Sequence, residues 1–103
     1  MELIKEIKYF IQRGKRGYSD RDVWSVDCYL ATIIPPMLRD VAKYSIGHPA
    51  SLKNFDEWKE ILHRIADGFE KYAEDEIEMA LENKKEWNKI KREFIKWFGA
   101  YWT

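Results

Sequence analysis

The amino-acid sequence predicts an all-α fold, a small bundle of three to four helices in a single domain that spans residues 1–103. Apolar residues recur every three or four positions in four stretches, which is the spacing of one face of an α-helix. Residues that cap helix starts precede two of these stretches, and glycine or proline follows others. Aromatic residues make up 16 % of the chain, so rings must supply much of a small core.

The first predicted helix covers residues 2–12. Acidic residues lie near its start and a basic residue near its end, the order that the helix dipole favours. Gly14 is expected to end it, and residues 13–18 then form a basic, glycine-bearing loop. The apolar stripe of this helix is formed by Leu3, Ile4, Ile7, Phe10 and Ile11.

The second predicted helix extends from about Asp20 to about Ser45. Pro35 and Pro36 interrupt the pattern inside it. Because proline lacks a backbone N–H and clashes with the preceding turn, we expect a kink or a short break at Pro35-Pro36. The segment Ile46-Gly47-His48-Pro49 should end the helix, since proline cannot continue it.

The start of this second helix carries the most specific pattern in the chain. Ser19 and Asp22 have the spacing of a capping box, with aspartate in place of the usual glutamate or glutamine. Asp27 shares a helical face with Val23 and Leu30. We therefore expect Asp27 to be buried and to hydrogen-bond an arginine, a ring N–H or O–H, or a ligand, because an unpaired buried carboxylate is costly.

The third predicted helix begins at Asn54, and Glu57 is placed to complete a second capping box. Its aromatic repeat returns near the end of the chain, one residue out of phase. One helix over residues 55–101 would be about 70 Å long, which a protein of this size cannot cover. We expect a bend near Asn83, and the alternative is a continuous helix in an oligomer.

Charge and composition exclude several classes of protein. Eighteen basic and eighteen acidic residues cancel, so there is no strong nucleic-acid signal. No apolar run approaches the ~18 residues of a membrane span, and one cysteine fits a reducing compartment. The acidic segment 70–82 and the basic segment 84–96 are either solvated faces or partners of each other, within the chain or across a subunit boundary. We expect a soluble, cytoplasmic protein with no membrane partner.

Cations and rings gather around the start of the second helix, where backbone N–H groups favour an anion. The combination is typical of a site for a phosphate-bearing or nucleotide-like ligand. The other interpretation is structural, with Arg16 or Arg21 paired to Asp22 or Asp27. The predicted ligand-binding residues are Arg13, Arg16, Tyr18, Arg21, Trp24, Asp27, His48 and Trp58.

No combination of residues predicts catalysis. The chain has no phosphate-binding glycine loop, nucleophile motif or zinc spacing. His63 and Asp67 have the spacing of a surface pair, and Cys28 is expected to be a small buried residue rather than a nucleophile. We predict no catalytic residue, no metal and no cofactor.

The pattern Gly17-Tyr18-x3-Asp22-Val23-Trp24-x2-Asp27, followed by Gly47-His48-Pro49, Trp58 and Gly68-Phe69, resembles a group of small, largely helical bacteriophage-encoded proteins of similar length. The resemblance covers residues 16–69, and the double proline departs from it. It implies a phage accessory role, such as inhibition of a host or immune function. It carries over no catalytic or binding residue.

Together these observations favour a non-enzymatic binding protein. We expect an oligomeric sponge that sequesters a small anionic, nucleotide-type immune signal in the host cytoplasm. The alternatives are a helical protein-binding inhibitor or virion-associated interaction module, and a small hydrolase. A homo-oligomer is expected, and the aromatic C-terminus around Trp97 and Tyr101 should contribute to its interface unless it packs within the chain.

Overall fold

The fold is all-α, as the sequence predicts. A computed structural model describes residues 2–103, and these residues contain no β-strand. Where the sequence predicts three to four helices, the structure divides the chain more finely. The elements are α1 (Glu2–Arg16), α2 (Asp20–Trp24), α3 (Val26–Tyr44), α4 (Phe55–Glu74), a π-helical turn (Glu78–Glu82), α5 (Lys84–Lys96) and a 3₁₀ turn (Phe98–Ala100).

Contacts within the chain define two compact units, Met1–Leu30 and Ala31–Thr103. The first contains α1, α2 and the start of α3, and the second contains the other elements. That the two units make one domain stays a prediction. None of the helices in the described residues 2–103 is long and apolar enough to cross a membrane.

Gly17, rather than Gly14, marks the end of α1. The helix continues through Gly14 to Arg16, because glycine lowers helix stability without forbidding the helix. Gly17 then adopts a φ of +86°, in the left-handed region that stops helices. Its N–H donates to the carbonyl of Arg13 over 2.9 Å, which closes the last turn.

The long second helix of the sequence prediction is two helices. Ser25 has φ −148° and ψ 77°, which separates α2 from α3. The break expected at Pro35 and Pro36 does not occur, since α3 runs through both prolines to Tyr44. Burial of Ile34 and Leu38 around the prolines accounts for this, because tertiary packing can offset two missing backbone bonds. The kink stays a prediction.

The core of the second unit is built on the apolar face of α4. Leu62, Ile65 and Trp58 are completely or almost completely buried. Asn54 caps the helix by accepting from the Glu57 N–H over 2.9 Å. The Glu57 carboxylate accepts from the N–H of Lys53 instead of Asn54, so the predicted capping box closes one residue early.

The predicted bend near Asn83 is confirmed, and one continuous helix over residues 55–101 is excluded. Helix α4 already ends at Glu74, where Asp75 turns extended with φ −152° and ψ 93°. Asn83, with φ −113° and ψ 40°, separates the π-helical turn from α5. The buried Met79 holds this turn against the core.

Most of the aromatic C-terminus packs within the second unit. Tyr101 stacks on Trp58 and on Phe94, with ring centroids 6.1 and 5.3 Å apart. Its hydroxyl donates to the Phe94 carbonyl over 2.8 Å. Burial and the nearby Glu93 carboxylate raise the pKa of Tyr101 well above its usual range. Phe98 and Trp102 stay exposed, and a role for this region in a subunit interface stays a prediction.

Gly68 of α4 lies directly against the side chain of Ile90 on α5. A Cβ at this position would lie 2.6 Å from Cγ2 and 2.7 Å from Cγ1 of Ile90. Both atoms are attached directly to the Ile90 Cβ, so a rotamer change cannot move both away. The absence of a side chain at position 68 is therefore a packing requirement.

We expect Gly68→Ala to lower the free energy of unfolding by about 1–3 kcal/mol, because the added methyl overpacks the core. Gly14→Ala is the matched control. A Cβ at Gly14 meets nothing within 4 Å, so this helical substitution should instead stabilise by about 0.4–1 kcal/mol. Urea unfolding measures both. Equal effects of the same sign would contradict the close approach of α4 to α5.

Candidate functional site

The predicted ligand-binding residues fall into two groups. Arg13, Arg16, Tyr18, Arg21, Trp24 and Asp27 lie in the unit Met1–Leu30. His48 and Trp58 lie in the unit Ala31–Thr103.

A buried carboxylate organises the first group. Asp22 is 7 % exposed, and Arg13 of α1 binds it with two bonds, 2.9 Å from Nε to Oδ2 and 2.5 Å from Nη2 to Oδ1. Asp22 Oδ2 also accepts from the Ser19 N–H over 2.8 Å, and the Ser19 side chain accepts from the Asp22 N–H. The predicted capping box is therefore confirmed, and Arg13 closes it from α1.

This arrangement fixes the charge of Asp22. The hydrogen bond from the Arg13 guanidinium, helped by Ser19, holds the pKa of Asp22 far below its usual range, against the opposing effect of burial. The same bond raises the pKa of Arg13. Both groups stay ionised through the physiological range, and the pair fastens α1 to α2.

The other two arginines of the predicted site are also paired. Arg16 Nη2 lies 2.6 Å from Asp20 Oδ1, and Gln12 bonds the other oxygen of Asp20 over 2.9 Å. The bond from Arg16, followed by that from Gln12, lowers the pKa of Asp20. Arg21 binds Glu6 on α1, and this bond raises the pKa of Arg21.

Aromatic rings cover these arginines. The Arg16 guanidinium lies 4.5 Å from the ring centroid of Tyr18, and that of Arg21 lies 4.5 Å from the ring centroid of Tyr9. Trp24 meets Tyr9 edge-on, with centroids 6.3 Å apart. Cation–π contacts of this kind add to the ion pairs. The rings predicted to stack on a ligand, Tyr18 among them, are thus partly engaged within the unit.

The prediction that Asp27 is buried is wrong. Asp27 is exposed in the first turn of α3, where a carboxylate complements the helix dipole. The break at Ser25 is the reason, because a helical face counted from Val23 does not continue across it. The buried carboxylate of this segment is Asp22. Cys28, expected to be buried, is only partly so.

These contacts favour the structural interpretation of the basic loop. All three arginines of the predicted anion site contact carboxylates, but the partner of Asp22 is Arg13 and not the predicted Arg16 or Arg21, which contact Asp20 and Glu6 instead. An incoming phosphate would have to compete with these carboxylates for the same N–H donors. Binding of an anion by these residues stays a prediction.

His48 and Trp58 line one cavity in the second unit. Its volume is about 290 Å³, and its other lining residues are Ser45, Ile46, Gly47, Pro49, Ala100, Trp102 and Thr103. Trp58 is 1 % exposed and meets Trp97 edge-on at 5.6 Å. His48 Nδ1 lies 2.9 Å from the Pro49 carbonyl. The sequence prediction named two members of this site but not the cavity.

An ion-pair cluster around Arg39 escaped the sequence analysis. Arg39 of α3 donates to Asp67 and Glu70 of α4, over 2.7 Å in each case. Its Nη1 lies 2.8 Å from Nδ1 of His63. The predicted pairing of His63 with Asp67 is replaced by shared contact with Arg39. The available signal was the i, i+4, i+7 spacing of three polar groups on one face of α4.

No family model, curated protein or solved structure matches this chain. Its function is therefore inferred from the chemistry of its own residues.

We expect Asp22→Asn to lower the free energy of unfolding by about 1–2 kcal/mol at neutral pH, because Arg13 loses an ionised partner. The pKa of Asp22 is lower in the folded state than in the unfolded chain, where it is about 3.9. Its stabilisation is fully present above the unfolded value and is lost as pH falls through the folded one. The two unfolding curves should therefore converge below about pH 4.

Asp20→Asn is the control for this experiment. Asp20 is exposed and carries the same kind of arginine contact, so its substitution should change stability less. Urea titrations at a series of pH values measure both variants. A difference between wild type and Asp22→Asn that stays constant down to the lowest pH would contradict the ionised pair.

Proposed function

We propose that this chain is a non-enzymatic helical interaction protein that works as a homo-oligomer. The observation that carries the proposal is the state of α1. This helix is amphipathic, yet it contributes no buried residue. The exposures of its five large apolar residues range from 48 % for Ile11 to 77 % for Phe10.

Other apolar residues of the same unit are exposed as well. Val23 and Val26 are more than half exposed, and Trp24 is 72 % exposed. Contiguous apolar patches are rare on monomeric proteins and usually mark an interaction site. We name the surface formed by Leu3, Ile4, Ile7, Phe10 and Ile11 the α1 face.

Two properties of the α1 face favour docking, the spacing of its residues and the order of the helix that carries them. Its residues follow the i, i+3, i+4, i+7 spacing that a helix uses when it lies in an apolar groove or against another helix. The ion pairs Arg13–Asp22 and Arg21–Glu6 hold α1 on the segment that follows it. A helix that is already ordered loses less entropy on binding than a disordered one.

Charge favours a second copy of the chain as the occupant of this face. Glu2 lies in the first turn of α1, and Lys15 lies in its last turn beside Arg13 and Arg16, which are already paired with Asp22 and Asp20. Two α1 helices packed antiparallel across a two-fold axis would place the acidic start of each beside the basic end of the other. The zero net charge of the chain adds no long-range repulsion.

The resemblance to phage proteins supports an accessory role for this oligomer in a host cytoplasm. Its further target would be a host protein or a virion component. Arg13, Arg16 and Arg21 of the predicted site are used in ion pairs within their unit, which favours a structural role for them over a catalytic one.

We expect Ile7→Glu to convert the oligomer into a species of 12.5 kDa, because a buried charge in an apolar interface is unfavourable. Analytical ultracentrifugation measures the change. Leu81→Glu is the matched control, since Leu81 is equally apolar and 71 % exposed in the second unit. It should leave the mass unchanged.

A charge reversal tests the antiparallel arrangement. Glu2→Lys and Lys15→Glu should each weaken association, and the double variant should restore it. Wild-type protein that sediments as a monomer at micromolar concentration would overturn the proposal. Failure of the double variant to recover would overturn the antiparallel packing alone.

Sequestration of a small nucleotide-type signal is the second candidate function. It is supported by one observation, that the predicted site residues His48 and Trp58 line the same cavity. Incubation with a panel of nucleotide signals, followed by heat release, tests it. Recovery of an intact nucleotide is expected, altered nucleotide would indicate catalysis, and absence of binding would contradict the candidate.

A further inference from the structure

The cavity lined by His48 and Trp58 has aromatic walls and few polar groups. Trp58 is the buried ring of its lining, Trp102 is the exposed one, and Ile46 and Pro49 add apolar surface. The Ser45 hydroxyl donates to the Trp102 carbonyl over 3.4 Å, which ties the C-terminal segment to the end of α3. We name this space the Trp58 cavity.

Size and wall chemistry select a planar ring system. The volume of about 290 Å³ is roughly twice that of the ~150 Å³ cavity that accommodates benzene. Aromatic walls favour flat ligands that can stack or meet a ring edge-on. A bicyclic heteroaromatic compound fits these requirements better than a branched aliphatic one.

The hydrogen-bonding state of His48 adds a polar preference. Its Nδ1 lies 2.9 Å from the Pro49 carbonyl, which can only accept, so Nδ1 carries the proton. In the neutral ring Nε2 is then an acceptor. A ligand that presents an N–H group to this nitrogen would replace water as its donor, since His48 is exposed.

Charge excludes an anionic group as the main determinant of binding. Among the described residues that line the cavity, none is lysine or arginine. A phosphate in this position would lose water without gaining a cation. The ligand should therefore be neutral.

We propose that the Trp58 cavity binds a neutral, planar, bicyclic heteroaromatic compound that donates an N–H hydrogen bond to His48. The proposal concerns a region other than the α1 face, and it competes with the second candidate function, which assigns an anionic nucleotide to the same cavity. A purine base is one member of this class, whether free or as part of a nucleoside.

Benzimidazole and 1-methylbenzimidazole are the test ligands, because they share a ring system and differ in the N–H donor. Ligand-observed saturation-transfer NMR on the full chain at neutral pH measures both. Benzimidazole should bind with a dissociation constant on the order of 1 mM. The methylated compound should bind about fivefold more weakly, the effect of one neutral hydrogen bond.

Three variants locate the binding site. Trp102→Ala should weaken benzimidazole about tenfold by removing a stacking wall. His48→Phe keeps a ring but removes the acceptor, and it should abolish the preference for benzimidazole over the methylated compound. Phe98→Ala removes an exposed ring that does not line the cavity, and it should leave binding unchanged.

Adenosine and adenosine 5′-monophosphate separate this proposal from nucleotide sequestration. Equal affinity for the two is expected, since the cavity offers no lysine or arginine to a phosphate. Tighter binding of the monophosphate would overturn the neutral-ligand proposal and leave sequestration standing. If benzimidazole binds and none of the nucleotides in the panel does, sequestration is overturned and the neutral-ligand proposal stands. Absence of any benzimidazole signal, or an equal loss in Phe98→Ala, would also overturn it.

Discussion

The burial of Trp58 is the constraint on which the second unit depends. A buried tryptophan has roughly 150–250 Å² of surface that must be covered. Trp58 is 1 % exposed, so almost all of its surface is covered. Trp97 and Tyr101 provide part of that cover, so the segment after α5 has to return to the start of α4. The same return places Trp102 beside the loop that follows α3 and creates the Trp58 cavity.

In the first unit, electrostatics replaces a hydrophobic core. The only residues of this unit that are buried among those described are Ser19 and Asp22, and both belong to the capping box. Arg13 supplies the countercharge from α1, and Arg21 and Glu6 form a second bridge between α1 and α2. Ion pairs between exposed groups stabilise weakly. The bidentate contact to a buried carboxylate is therefore the main link between α1 and α2, and the large apolar side chains of α1 remain exposed.

Local signals in the sequence predicted local structure well. The capping box at Ser19 and the helix start at Asn54 each depend on residues within a few positions of one another, and both are present. The bend near Asn83 was predicted instead from the phase of the aromatic repeat and the length of a continuous helix, and it is also present. No glycine or proline lies near Ser25 to indicate the break there. Because this break was not predicted, the helical face was counted through it, and Asp27 rather than Asp22 was predicted to be buried. The contacts Arg13–Asp22 and Arg39–Asp67 join different helices, and spacing along one helix carries no information about such partners.

The close approach at Gly68 also constrains how this sequence can change over evolution. With Ile90 in place, the space beside Gly68 admits no methyl group without displacement, so most substitutions there would be removed by selection. A smaller residue at position 90 would open that space. The two positions should therefore be epistatic, since neighbours in contact do not contribute independently. The order of substitution matters, because a smaller residue has to replace Ile90 before any residue with a side chain can replace Gly68.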